Sequence, residues 1–130
     1  MLARILWVAL GGAVGSVLRF VLASWFAART GPGFPWGTFS VNVAGSFAMG
    51  VVLHAGLRAG LLPETARIAL AAGLLGGFTT FSAFSAETWT LAHDAAWGKA
   101  AAYAVASVVA CVVAVGLGVG AARAALGSGA

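Results

Sequence analysis

Charge is the scarcest property of this chain. Of 130 residues, three are Asp or Glu and seven are Lys or Arg, 8% in all, while 62% are hydrophobic. Soluble domains carry about 25% charged residues, so the surface that water would wet is missing and a water-soluble domain is excluded. The seven bases stand singly between apolar runs, which excludes nucleic acid as a partner despite the net charge of +4. One cysteine, Cys111, allows neither an intrachain disulfide framework nor a cysteine metal cluster. It reads as a small buried thiol. No nucleophile and base pair is apparent, since His54 and His93 both lie near the ends of apolar runs, so an enzyme is disfavoured. No repeat with a period of 20 to 50 residues is visible either.

What remains is apolar length. A bilayer core takes about 20 apolar residues per helix at a rise of roughly 1.5 Å. Reading the sparse charges as punctuation places four transmembrane helices near 3–28, 37–57, 65–92 and 97–123, one four-helix transmembrane domain over residues 1–130. The first run is long, carries Arg19 at its middle and lacks a convincing cleavage pattern, so it is read as mature structure rather than a secretory signal. Gly31, Pro32, Gly33 and Pro35 end the first span, Gly60 and Pro63 separate the second from the third, and His93-Asp94 separates the third from the fourth. Connections this short imply antiparallel neighbours. Trp7, Trp25, Trp36, Trp89 and Trp97 fall near span ends, where an indole prefers the headgroup boundary. Arg4, Arg58, Arg67 and Arg123 on one side against Arg29 and Lys99 on the other is a weak orientation bias, compatible with insertion in both directions.

Small residues four apart mark helix contacts: Gly11 with Gly15, Gly73 with Gly77, Gly116 with Gly120, and Ser46 with Gly50. Polar residues inside the spans carry more, because each costs free energy in hydrocarbon and should face protein, water or a ligand. Arg19 has no acid in its own span and needs a partner or a wet vestibule, or serves as a structural arginine. Thr38, Asn42 and Ser46 share a helical stripe, suited to interhelical hydrogen bonds or, through the Asn42 amide, to replacing part of an anion's water shell. Tyr103, Ser107 and Cys111 form a second stripe at the same spacing. The third span holds Gly73, then the run Gly76 to Ser85 with its paired glycines and four hydroxyls, then Glu87. That is poor material for a continuous lipid-facing helix and predicts a local break, tolerated only where freed backbone groups are buried or line water, and able there to handle ions. Phe78, Phe81 and Phe84 recur every three residues, either as a core stripe or as rings whose electropositive edges meet an anion.

Three segments taken together, Gly11-Gly12 through Gly15 to Arg19, Gly37-Thr38 with Asn42 and Gly45-Ser46-Phe47, and Gly76-Gly77-Phe78-Thr79-Thr80-Phe81-Ser82-Ala83-Phe84-Ser85-Ala86-Glu87, closely resemble the Fluc fluoride channels, also called the CrcB family. The resemblance covers nearly the whole chain. It implies an all-α membrane protein, an antiparallel dual-topology homodimer in the bacterial inner membrane that exports fluoride passively from the cytoplasm through two pores at the subunit interface. Carried over by motif, Asn42, Phe81 and Phe84 contact fluoride, Tyr103 and Ser107 belong to a polar track, and Thr80 and Ser82 add hydroxyls nearby. Gly76 and Thr79 supply main-chain carbonyls to a structural sodium ion at the dimer centre, and Arg19 acts at a vestibule or in the scaffold. Ala83 and Cys111 stand where many or some relatives carry a further hydroxyl. The main alternative is a small multidrug-resistance type proton-coupled antiporter, which needs a carboxylate near the membrane centre; Glu64 and Asp94 fall in connections and Glu87 toward an interface. A noncatalytic assembly subunit, with its polar residues all serving as helix glue, is a second alternative.

Overall fold

The computed structural model describes residues 1–126. The first helix, α1, runs Leu2–Thr30 and ends where Gly31 turns to φ 71°, its N–H closing on the Ala27 carbonyl at 3.2 Å. That left-handed turn suits a residue without a Cβ. Helix α2, Trp36–Leu53, follows Pro35 and runs into a π-helical turn over His54–Arg58. Pro63 precedes α3, Glu64–Ile68, where a missing N–H costs nothing. A π-helical run Ala69–Leu75 and the short α4, Gly76–Phe78, come next. Thr79 and Thr80 have extended backbone, with ψ 156° and 119°, before α5 begins at Phe81 and runs to His93. Helix α6 spans Trp97–Leu126.

The described residues contain no strand, and four helical stretches are long and apolar enough to cross a membrane: Leu2–Thr30, Trp36–Leu57, Glu64–His93 and Trp97–Leu126. The 29 residues of α1 reach about 43 Å at 1.5 Å per residue, enough to cross a hydrocarbon core of about 30 Å with tilt to spare. The expectation of an all-α membrane protein with four spans therefore holds.

Two seams organise the helices. Along the first, α1 lies against the segment from Glu64 to Phe78. A Cβ on Gly15 would collide with the Leu74 carbonyl oxygen, and one on Gly77 would come within 2.5 Å of the Gly12 carbonyl oxygen. Along the second, α2 lies against α6, with Gly50 against the Val115 carbonyl and Gly118 against the Phe47 carbonyl. Backbone meets backbone at both seams, the packing available where lipid removes the usual hydrophobic drive between helices. The expected pair Gly116 and Gly120 does not take part: a Cβ on either meets nothing within 4 Å, and the contact glycine on α6 is Gly118, between them. Spacing finds a face of small residues but cannot say which of two faces the neighbouring helix occupies.

Few large side chains lie inside the single chain. Tyr103 and Val41 are fully buried, whereas Phe20, Phe81, Trp89 and Val112 expose 68% or more of their surface. Such a surface belongs in lipid or against another apolar surface. Near the start of α3, Glu64 pairs with Arg4 of α1 at 2.9 Å on an exposed edge, a contact worth about 0 to 1 kcal/mol.

Candidate functional site

The site grows out of the extended residues Thr79 and Thr80. In an uninterrupted helix the Thr80 N–H would reach the Gly76 carbonyl and the Ala83 N–H would reach the Thr79 carbonyl. Neither does so here. Thr80 N–H donates to Asn42 Oδ1 at 2.8 Å, and Asn42 Nδ2 donates back to the Thr80 carbonyl at 3.1 Å. Ala83 N–H donates to Thr80 Oγ1 at 3.1 Å, so the threonine caps the N-terminus of α5 with its own hydroxyl. Ser82 Oγ lies 3.1 Å from the same oxygen. The break leaves the four carbonyls from Gly76 to Thr79 without their helical donors; those of Gly76 and Thr79 lose theirs to Asn42 and to the Thr80 hydroxyl.

The next carbonyl is held differently. Arg19 Nε donates to the Gly77 carbonyl at 3.1 Å and Ser16 Oγ approaches it at 3.5 Å. The arginine of α1 thus finds a main-chain oxygen rather than an acid, which meets part of the cost of a cation within a span. Asn42 is locked in one orientation, because only its Oδ1 can accept from the Thr80 N–H; its two bonds to Thr80 use one of its two amide hydrogens.

Beside Thr80 lies a cavity of about 290 Å³ whose wall includes Asn42, Phe81, Phe84, Ser107 and Cys111. Every lining residue is uncharged. Ser107 is only 6% exposed and its Oγ has no hydrogen-bond partner within the chain. The Phe81 and Phe84 rings are 5.4 Å apart at 45°. Phe78, the third of the sequence stripe, instead packs toward Gly45. Of the three phenylalanines, Phe81 and Phe84 line the cavity and Phe81 is the exposed one.

Tyr103 stands behind this wall, fully buried, its ring 5.2 Å from that of Phe84 and its hydroxyl donating to Glu87 Oε2 at 2.6 Å. Thr38 Oγ1 donates to the other carboxylate oxygen, Glu87 Oε1, also at 2.6 Å. Thr38 and Glu87 in turn line a second cavity, of about 360 Å³, under the loop from Thr30 to Trp36. Of the residues singled out in the sequence, Asn42, Thr80, Phe81, Phe84 and Ser107 thus share one cavity. Ser82 touches its edge through Thr80, Tyr103 lies one ring deeper, and Arg19 sits on the far side of span three.

A family model described as CrcB-like protein, Camphor Resistance (CrcB), matches residues 6–119. The chain belongs to the CrcB family. It is 46% identical over 116 residues to a protein of Geobacter metallireducens, covering 89% of this chain and 94% of that one. It is 50% identical over 115 residues to a protein of Opitutus terrae, covering 87% of each chain, and 48% identical over 111 residues to one of Sphingopyxis alaskensis, covering 85% and 88%. All three relatives bear the name fluoride-specific ion channel FluC. With its four spans, this CrcB member is a multi-pass membrane protein.

Glu87 is the residue that sequence reasoning passed over. Its carboxylate accepts from two hydroxyls on two other helices, Thr38 of α2 and Tyr103 of α6. A signal was available: Glu87 follows Phe84 by three residues on one helix face, and Thr38 and Tyr103 each precede a cavity residue, Asn42 and Ser107, by four. Three stripes in the same register put Thr38, Glu87 and Tyr103 at one level.

Proposed function

We propose that this chain is a fluoride-selective channel of the bacterial inner membrane, through which fluoride leaves the cytoplasm passively along the wall formed by Asn42, Phe81, Phe84 and Ser107. The observation that carries this reading is an uncharged cavity bordered by donors for an anion, a locked amide with a hydrogen to spare and two phenyl rings, with the partnerless Ser107 hydroxyl buried in its wall. Fluoride is small and strongly hydrated, so a path for it must replace water with several weak donors and yet release the ion. Ring edges and a neutral amide meet that demand, because they attract the anion without the deep well of a fixed cation. Thr80 and Ser82 add hydroxyls beside the cavity, and Tyr103 backs the Phe84 ring while its own hydroxyl is given to Glu87. The names of the relatives support the ion, and they describe channels, in agreement with the expectation that the chain is not an enzyme.

The pore in this reading is completed by a second copy in the opposite orientation, an antiparallel dual-topology homodimer. Its supports are the outward-facing Phe81, 78% exposed, and the weak charge bias between the two ends of the spans. The extended pair Thr79 and Thr80 is the break in the third span, and the carbonyls of Gly76 and Thr79 would hold a structural sodium ion at the dimer centre. The diverted N–H groups of Thr80 and Ala83 leave those two oxygens without their helical donors, which is the chemistry a hard cation needs. When bound, the ion supplies positive charge and a tie between subunits. Arg19 keeps the intervening Gly77 carbonyl occupied.

The proton-coupled antiporter finds no support. Its carboxylate must be free to exchange a proton for substrate, whereas that of Glu87 accepts hydrogen bonds on both oxygens, and the named relatives are channels. Fluoride efflux from sealed liposomes, measured against chloride, tests the reading. Flux should be fast without a proton gradient, and Phe81→Ile and Asn42→Asp should each lower it by at least about a hundred-fold, the loss of roughly 2.7 kcal/mol of stabilisation at the narrowest point. Normal flux in both variants would remove this path.

A further inference from the structure

Glu87 is a carboxylate inside a membrane span that no base answers. It belongs to the stretch Glu64–His93, and its two oxygens accept from the Thr38 and Tyr103 hydroxyls, both at 2.6 Å. Among the described residues no Lys, Arg or His pairs with it. Two neutral hydroxyls orient the charge without cancelling it, and an uncancelled charge within a span is expensive. An ionised carboxylate offers about four lone-pair sites, so acceptor capacity remains. The residue also borders open space, the cavity of about 360 Å³ under the loop from Thr30 to Trp36, and among the described residues of that lining Glu87 alone is charged. Phe34 and Trp36 belong to the same lining, with ring centroids 4.5 Å apart at 47°. Aromatic rings and a carboxylate attract the same kind of visitor, a cation with apolar surface. At roughly 30 Å³ per water, the space suits a small organic molecule better than a bare ion.

We propose that this cavity binds a small primary alkylammonium ion, its ammonium on the Glu87 carboxylate and its alkyl chain against Phe34 and Trp36. The ammonium brings three donors and the positive charge that Thr38 and Tyr103 lack. The chain displaces water from apolar walls; an alkali ion would leave the aromatic corner wet. An anion is disfavoured beside Glu87, so this site is opposite in preference to the uncharged cavity beside Asn42. The carboxylate stays ionised and hydroxyl-bonded throughout, and no proton is exchanged. The inference stands apart from the fluoride reading. The ammonium can come from a soluble amine or from a phosphatidylethanolamine headgroup, since the cavity lies under the loop that joins the first two spans.

n-Butylammonium chloride is the probe, titrated onto the full-length chain in phosphatidylglycerol nanodiscs and followed by saturation-transfer NMR against protein-free discs. The expected result is saturable binding with a dissociation constant in the millimolar range or tighter, and none for neutral 1-butanol. Glu87→Gln keeps the size of the side chain and removes its charge, and should weaken binding at least about ten-fold. Ala27→Trp, at an exposed position of α1 on the same lining, fills the space without altering Glu87 and should weaken binding as much. It decides the matter if Glu87→Gln fails to fold. No saturable signal, equal binding of 1-butanol, or full affinity in either folded variant would overturn the proposal. Replacing half the lipid with phosphatidylethanolamine distinguishes the sources. Weakened n-butylammonium binding there supports the site with a lipid headgroup as its occupant, and unchanged binding supports it with a soluble amine.

Discussion

The two sides of the third span are built on opposite principles. On the side facing α1, backbone touches backbone: Gly15 lies against the Leu74 carbonyl, Gly77 against Gly12, and the Gly77 carbonyl carries Arg19. On the side facing α2 and α6, Thr79 and Phe78 pack on Gly45 and Thr80 exchanges two hydrogen bonds with Asn42, but the next turn is loose, with Phe81 and Phe84 bordering a cavity. The dry seam fixes where Gly76 to Phe78 lie, and the loose turn follows the break. A segment whose helical hydrogen bonds are diverted needs other partners, and here the glycine seam with α1 and the Asn42 amide of α2 supply them from opposite sides.

The sharpest way to break this contrast is to put a side chain into the dry seam. Gly15→Val would set a Cβ against the Leu74 carbonyl, a main-chain atom that cannot swing aside. The expected cost is about 3 kcal/mol or more, at the upper end for overpacking. It should appear as loss of the monodisperse peak in detergent or a large drop in thermal midpoint, while unchanged behaviour would mean the seam is not close-packed. On the loose side, Ser107→Ala should do the reverse. Its hydroxyl has no partner in the chain, so stability should stay the same or rise slightly. Fluoride flux should fall about ten-fold, one charge-assisted hydrogen bond's worth. A stability loss without a flux loss would make Ser107 a packing residue.

How much of this was legible in the sequence follows from the same contrast. The four spans could be read because apolar length is a one-dimensional property, and Gly11, Gly15, Gly73 and Gly77 because their close approaches repeat with the helix. That Asn42 belongs to an ion path came from motif resemblance. That it exchanges both its amide atoms with Thr80 could not be read, since residues 38 apart meet only through tertiary packing. Glu87 shows the same limit: its position along the span could be counted, but that Thr38 and Tyr103 from two other helices hold its carboxylate could not. The π-helical run over Ala69–Leu75 left no compositional trace, since its Ala, Leu and Gly residues are equally those of an α-helical span.

The smallest predicted effect separates two glycines that sequence treats alike. Gly116 and Gly118 are two residues apart on α6, but only Gly118 has a neighbour, the Phe47 carbonyl, where a Cβ would fall. Gly118→Ala should therefore push α2 and α6 apart and lower the thermal midpoint. Gly116→Ala should leave it unchanged or raise it, since alanine is the better helix former by about 0.8 to 1 kcal/mol. The pair also probes what lies outside a single chain. If Gly116→Ala weakens the protein as much as Gly118→Ala does, and the loss grows on dilution, then the open face of α6 meets another helix at backbone distance. A loss independent of dilution would place that contact within the chain and contradict the open surface at Gly116.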